Sequence, residues 1–252
     1  MKVVVCVKQI PDPATPYKLE EATFWLVRPD EQILDDTDRY GVEMGLQLAQ
    51  ANEGTVTLVS MGPTGNAQGI RQALAMGADK AVIVDDDGLR GSDALTTGRV
   101  LAKVIEQEGY DLVITGTEST DGYSGVVPQM LAELLGVPAL TYATSVETDG
   151  SNVTIHRQTL EGYDVVNAGL PAVVTVTAGV VEPRYPTFKG IMDAKKKPVE
   201  TFALSDLGVE PSDGQKVVSI TDAPKRQSGR KIEDEGEAFA EIVALLEERK
   251  VI

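Results

Sequence analysis

Short apolar runs rich in β-branched residues alternate with stretches whose apolar positions recur every three to four residues, and the alternation covers roughly the first half of the chain. Residues 2–10 (KVVVCVKQI), 55–61 (TVTLVSM), 81–84 (AVIV) and 110–115 (YDLVIT) lack the polar alternation of a half-exposed strand. They predict strands buried on both faces of a parallel sheet, with the first at its centre. A helical pattern follows each. Val42, Leu46 and Leu48 mark the first, residues 67–76 the second, closed by Gly77, and residues 94–107 the third, opened by Ser92 and Asp93. Val126, Val127, Met130, Leu131, Leu134 and Leu135 mark the fourth. Strand and helix alternate four times with short connections, which predicts a right-handed, doubly wound α/β sheet.

The rhythm changes after Pro138. Residues 142–146 and 152–157 flank Asp149, Gly150 and Ser151 and predict an antiparallel hairpin, followed by a strand-like run broken at Gly162. Residues 171–176 (PAVVTV) predict a strand that returns to the main sheet. An irregular insert at 14–34, holding the one tryptophan, Trp25, reads as a small hairpin. From Val181 the composition turns to Pro and Lys without a regular repeat, as expected of an arm lying on another surface. A last helix over 237–250 carries Phe239, Ile242, Val243, Leu245 and Leu246 on one side, a face in need of cover. The expected division is a nucleotide-binding domain over 1–180 and an arm over 181–252.

Composition narrows the chemistry. The chain has 252 residues, one cysteine, Cys6, and one histidine, His156, so internal disulfides, cysteine clusters and multi-histidine metal sites are excluded. No metal site is expected. A formal charge of −16 argues against nucleic-acid binding. No apolar run reaches the roughly 20 residues of a membrane helix, and the N-terminus lacks a signal-peptide layout, so a cytoplasmic location is expected.

Three stretches remain as candidates. The first joins the fourth strand to its helix: Gly116, Thr117, Glu118, Ser119, Thr120, Asp121, Gly122, Tyr123, Ser124 and Gly125 form a small-residue loop running into a helix N-terminus. Such a loop can hold a phosphate on main-chain N–H groups, or it can be a tight βα turn whose glycines serve geometry alone. It matches neither GxGxxG nor GxxxxGK[ST], so no motif lysine is available. The second stretch is Asp35, Asp36 and Asp38, which read as capping acids for the first helix in preference to metal ligands. In the third, Tyr185, Phe188, Ile191 and Met192 stand beside Lys195, Lys196 and Lys197. Apolar anchors next to positive charge suit docking to an acidic partner, or the loop tucks against its own domain with solvated lysines.

Several separate stretches resemble the electron transfer flavoprotein β subunits: VKQIPD at the N-terminus, IRQALAMGADKAV, GTESTDGYSG, LPAVVTV, and the arm EPRYPTFKGIMDAKKK with DLGV after it. They occur in the family's order over almost the whole chain. The resemblance implies a Rossmann-like, adenine nucleotide-binding fold paired with an α subunit that shares an FAD, and an extended C-terminal arm with a partner-docking loop at about 184–197 and a terminal helix packed on that α subunit. It also implies a structural AMP held by this chain. Carried over by position, the nucleotide site involves Cys6 and Lys8, the residues Asp35, Asp36, Thr37 and Asp38, and Met61. The loop adds Thr115, Gly116, Ser119, Asp121, Gly122, Tyr123, Ser124, Gly125, Val126 and Val127, with phosphate donors among the N–H groups of 122–127. Many members have Asn-Pro-Phe where this chain has Asp35, Asp36 and Thr37, and Thr37 cannot stack on a flavin as that aromatic does. Phe188 takes the place of the apolar anchor for dehydrogenases. The implied role is an electron carrier without its own substrate, between acyl-CoA and other flavin dehydrogenases and a membrane quinone oxidoreductase. A bifurcating type with a second FAD in place of AMP, an ATP-binding universal-stress-type module, a nucleotide hydrolase and a scaffold with a vestigial site are the competing readings.

Overall fold

A computed structural model describes residues 1–210, 214–226, 228–234 and 236–252. In chain order the elements are β1 (Lys2–Cys6), β2 (Gln9–Ile10), β3 (Ile33–Leu34), α1 (Asp38–Ala51), β4 (Thr55–Met61), α2 (Gln68–Met76), β5 (Lys80–Val84), α3 (Ala94–Glu108), β6 (Leu112–Gly116) and α4 (Val127–Leu135). There follow β7 (Ala139–Thr148), β8 (Asn152–Gln158), β9 (Tyr163–Gly169), β10 (Ala172–Val176), α5 (Phe188–Ala194), β11 (Val199–Phe202), α6 (Leu204–Leu207) and α7 (Ala238–Glu248).

Among the described residues nine strands form one sheet in the order β11-β5-β4-β1-β6-β10-β7-β8-β9, and β7, β8 and β9 are its antiparallel end. The remaining pairs are parallel. The apolar runs earn their central places: every residue of β6 and of β10 is buried. Alternate side chains of a strand point to opposite faces. Val3 and Val5 thus meet α1 and α2 through Val42, Leu46, Ile70 and Leu74, while Val4 joins Val100, Ile105 and Leu131 of α3 and α4 on the other face. The mainly parallel, doubly wound α/β architecture expected from the sequence is the one observed. No helix among the described residues is long and apolar enough to cross a membrane.

Two local expectations hold and two give way. The insert at 14–34 forms a minimal antiparallel hairpin, the bridge of Leu19 with Leu26 flanked by bonds from Glu20 N to Trp25 O and from Val27 N to Lys18 O. The strand-like run after residue 157 is broken before Tyr163, as expected at Gly162, and continues as β9, a third antiparallel strand. The run over 2–10, by contrast, divides, because the chain leaves the sheet after Cys6 and Gln9–Ile10 pairs antiparallel with Ile33–Leu34. The arm is not irregular from Val181. β11 pairs with β5 along Val199–Phe202 and covers what would otherwise be an open sheet edge, and α5 lies against α2. One compact unit spans Met1–Val217. The second, Val218–Ile252, contains α7, and none of that helix's residues is buried.

Candidate functional site

In doubly wound sheets ligands bind beyond the carboxyl ends of the strands, where the strand order reverses. Here β1 leads to β4 on one side and has β6 on the other, so the reversal lies between β1 and β6. A cavity of about 340 Å³ opens there. Cys6, Val7 and Lys8 leave β1 beneath it, Met61 ends β4, and Thr115 and Gly116 end β6. Two helix N-termini face it. Ser92, Asp93, Ala94 and Thr97 come from the start of α3, and Ser124, Gly125, Val127 and Pro128 from the start of α4. Val59, Leu101 and Leu131 supply apolar wall.

The loop after β6 is held from below by a buried carboxylate. Only 1% of the Asp121 side chain is exposed, and it accepts from Lys8 Nζ at 2.7 Å and Arg28 Nη2 at 2.6 Å. Lys8 Nζ also reaches Ser119 Oγ at 3.2 Å, and Arg28 Nη1 reaches Gln9 O at 3.3 Å. Burial works against the charge on Asp121, but Lys8 and Arg28 outweigh it and hold the carboxyl below the usual range. Asp121 thus fixes the loop and does not face the cavity. Asp35 clasps the same loop from the other side. It is fully buried and accepts from Thr120 N (2.7 Å), Thr120 Oγ1 (3.0 Å), Thr37 N (3.1 Å) and Thr37 Oγ1 (2.9 Å).

The three acids at the start of α1 do not act as caps. The N-cap is Thr37, whose side chain accepts no bond from the first turn of the helix, and Asp36 is exposed beside Arg39. Asp38 points back to β1, where Oδ2 accepts from Lys8 N at 2.7 Å. Burial, and then the neighbouring Asp35 carboxylate, push the Asp38 carboxyl well above the ordinary range. Burial and Asp38 together push the Cys6 thiol up to about 12. Among the described residues no group of three His, Cys, Asp or Glu side chains could hold a metal.

Of the residues expected in the nucleotide site, Cys6, Lys8, Asp38, Met61, Thr115, Gly116, Ser119, Gly122, Ser124, Gly125 and Val127 line the cavity. Asp35, Asp36, Thr37, Asp121, Tyr123 and Val126 do not. Tyr123, at φ +47°, turns its ring outward and is 68% exposed. The expected set of phosphate donors also narrows, since Gly122 N and Tyr123 N both donate to Ser119 O. Among the described residues no protein acceptor takes the N–H groups of Ser124, Gly125, Val126 and Val127, the turn that opens α4. Four free donors at a positive helix end, beside an apolar slot and one ammonium group, suit a phosphate attached to a flat apolar ring. Sequence reasoning missed Arg28, for want of any local motif, and Thr97 and Leu101. It saw Asp93 only as a cap, although the helix spacing from Asp93 already placed Thr97 one turn on.

An adjoining groove of about 480 Å³ shares Lys8, Met61, Ser92, Thr97 and Gly122 with the cavity and continues to Trp25 and Arg90. In the arm, Phe188 is 92% exposed, and Tyr185, Ile191 and Met192 are exposed too. His156 stacks on Tyr163 at 4.2 Å, across β8 and β9 and away from these elements.

The family model for the electron transfer flavoprotein domain matches residues 23–207. Relatives include the electron transfer flavoprotein subunit beta of Mycobacterium tuberculosis (strain ATCC 25618 / H37Rv), 43% identical with 99% of each chain covered. That of Bacillus subtilis (strain 168) is 36% identical over 88% of this chain and 89% of the relative. The caffeyl-CoA reductase-Etf complex subunit CarD of Acetobacterium woodii is 33% identical over 84% of this chain and 81% of its own. With the family model matching more than half of its residues and a β subunit aligning over nearly its whole length, the chain belongs to the electron transfer flavoprotein family.

Proposed function

We propose that this chain is the β subunit of a heterodimeric electron transfer flavoprotein, that its cavity holds AMP as a structural nucleotide, and that it shares an FAD with an α subunit. The observation behind the nucleotide assignment is the run of N–H groups from Ser124 to Val127 without a protein acceptor among the described residues, beside a cavity of about 340 Å³ that Ser124, Gly125 and Val127 help to line and that has an apolar wall. That volume lies at the lower end of the roughly 300–1,000 Å³ of small-ligand sites, which favours a mononucleotide over a dinucleotide. The adenine lies in the slot of Val59, Leu101 and Leu131, and the phosphate lies at the start of α4 with Lys8 beside it.

Bound FAD supplies the one- and two-electron chemistry, and the polypeptide supplies position and electrostatics. Asp121, paired with Lys8 and Arg28, fixes the loop that cradles the phosphate. Asp35 ties Thr37 to Thr120 and so fixes the start of α1 against that loop, and Thr37 offers a hydroxyl where many relatives place an aromatic ring. The exposed Phe188 anchors acyl-CoA and other flavin dehydrogenases, a reading in keeping with the coenzyme A thioester named in the Acetobacterium relative. Electrons leave for a membrane quinone oxidoreductase. The chain turns over no substrate of its own and works in the cytoplasm.

The test is to co-express the chain with its α subunit, release ligands by heat, and identify them by chromatography and absorbance. AMP together with one FAD per pair is the expected result. Two FAD per pair would assign the adjoining groove to a second flavin and make the complex a bifurcating type, and no nucleotide at all would leave a scaffold. On the docking side, Phe188→Ala should raise the apparent KM for an acyl-CoA dehydrogenase while the flavin content stays that of the parent complex.

A further inference from the structure

Of the three lysines that follow the exposed apolar cluster, one is engaged with the fold. Lys197 Nζ donates to Ala78 O at 2.6 Å and to Leu74 O at 3.0 Å. Helix α2 ends at Met76 and has no basic residue in its last turn. Its terminal carbonyls, the negative end of the helix dipole, take their cation from the arm. The converse contact also exists: α5 ends at Ala194, and Arg71 of α2 donates Nη1 to Ala194 O at 3.3 Å. The segment after α5 completes the C-terminus of α2, and α2 completes that of α5.

Two further contacts hold the same segment. A Cβ added at Gly190 would lie 2.5 Å from Ala75 O, so α5 and α2 meet backbone to backbone there and a larger residue would lift α5 away. Upstream, Arg184 makes a forked pair with the buried Glu43 of α1, Nε to Oε2 at 2.6 Å and Nη2 to Oε1 at 2.9 Å, and its own N–H adds a bond to Oε2 at 3.2 Å. Such forked pairs fix direction as well as distance. A helix of seven residues is not stable alone in water. These contacts keep it formed and leave Phe188, Ile191 and Met192 on its open side.

We propose that Arg184, Gly190 and Lys197 are positioning residues that clamp α5 onto α2 and tie its leading segment to α1, so that a partner flavoprotein meets a preformed helix, and that Lys197 contributes no docking charge. This rests on the docking role given above to Phe188. A preformed helix removes the ordering entropy that a loose loop would lose on binding. Lys195 and Lys196, both exposed, remain to attract acidic groups.

The αβ complex tests it, with reduced acyl-CoA dehydrogenase as the varied electron donor at low and high salt, and with amide hydrogen exchange followed across residues 188–194. Lys197→Met should raise the apparent KM about tenfold at either salt, the scale of losing hydrogen bonds to a charged group, with kcat near that of the parent. Gly190→Val, which changes no charge, should do the same, and both should speed exchange in α5. Lys197→Arg keeps donors within reach of the two carbonyls and should stay within about twofold of the parent. Lys196→Met should raise KM only at low salt, because exposed charges are screened. Unchanged exchange in Lys197→Met and Gly190→Val overturns the clamp whatever Phe188→Ala does. A Lys197→Met effect that vanishes at high salt like that of Lys196→Met also overturns it. If exchange quickens but Phe188→Ala leaves KM unchanged, the clamp stands and the docking role falls.

Discussion

At the scale of single residues, two buried carboxylates under the cavity are shifted in opposite directions. Asp121 gains two cations and titrates below an ordinary aspartate; Asp38 is buried, faces Asp35 and titrates well above one. The signs lead to opposite pH windows. For Asp121 the stabilisation is fully present above the unfolded value of about 3.9 and is lost as pH falls through the folded value. For Asp38 the stabilisation is fully present below about pH 4 and is lost as pH rises through the raised value. Asp121→Asn should destabilise the complex at pH 7 by about 1–3 kcal/mol, allowing for the partial exposure of Lys8 and Arg28, and should loosen the bound nucleotide. Asp38→Asn retains an acceptor for Lys8 N and should stabilise by about 0.5–2 kcal/mol at pH 7, the gain fading toward pH 4. Denaturant unfolding followed at both pH values checks the pair, and a loss in Asp38→Asn at pH 7 would contradict the assignment. The strain under Asp38 has the character of a functional site, where local stability gives way to a fixed geometry.

At the scale of elements, legibility followed the source of each element's stability. The central strands β1, β4, β5 and β6 were readable because burial on both faces demands unbroken apolar runs, and β10 for the same reason. By contrast β11 reads VETF with no residue fully buried; it pairs with β5 through its backbone while Val199 and Phe202 pack partly against the two cores, too short a run to leave a pattern in the side chains. Helix α5 is similarly hidden, since its stability comes from contacts with α2 that lie far away in sequence. Acidic residues before a helix show the limit of composition. Asp93 and the group Asp35, Asp36 and Asp38 both looked like caps, yet only Asp93 accepts a main-chain N–H from the first turn of its helix, Thr96 N at 2.7 Å. The others were drawn off by Thr120, Lys8 and solvent. Asp93→Ala should therefore cost about 1 kcal/mol of stability, whereas Asp36→Ala should stay within about 0.5 kcal/mol of the parent. Thermal melts of the two variants side by side decide this, and equal losses would return Asp36 to the capping role.

At the scale of the whole molecule, the features that matter most are surfaces the chain does not cover by itself. The site at the β1–β6 reversal could be located from the alternation of strands and helices, because topology alone puts it there. What covers the second unit could not be located in that way. In α7, Phe239 is 69% exposed and Ile242, Val243 and Leu245 are exposed with it, a stripe that an isolated helix cannot bury. If the α subunit covers it, a charge placed in the stripe should separate two quantities that ordinarily move together. Ile242→Asp should leave the melting of the first unit as it is, since α7 lends it none of its core side chains. It should lower the affinity for the α subunit by about tenfold or more, because burial of one such side chain is worth roughly 1.5–3 kcal/mol and a buried unpaired carboxylate costs more. Sedimentation of the mixed subunits over a dilution series reads the affinity, and circular dichroism of the β chain alone reads the fold. Dissociation at unchanged melting would make α7 a part of the heterodimer that the β chain carries outside its own core. Undiminished affinity would mean that another surface of this chain holds the α subunit, and the exposed antiparallel end of the sheet, with Tyr163 and Val165 open on β9, would be the next place to substitute.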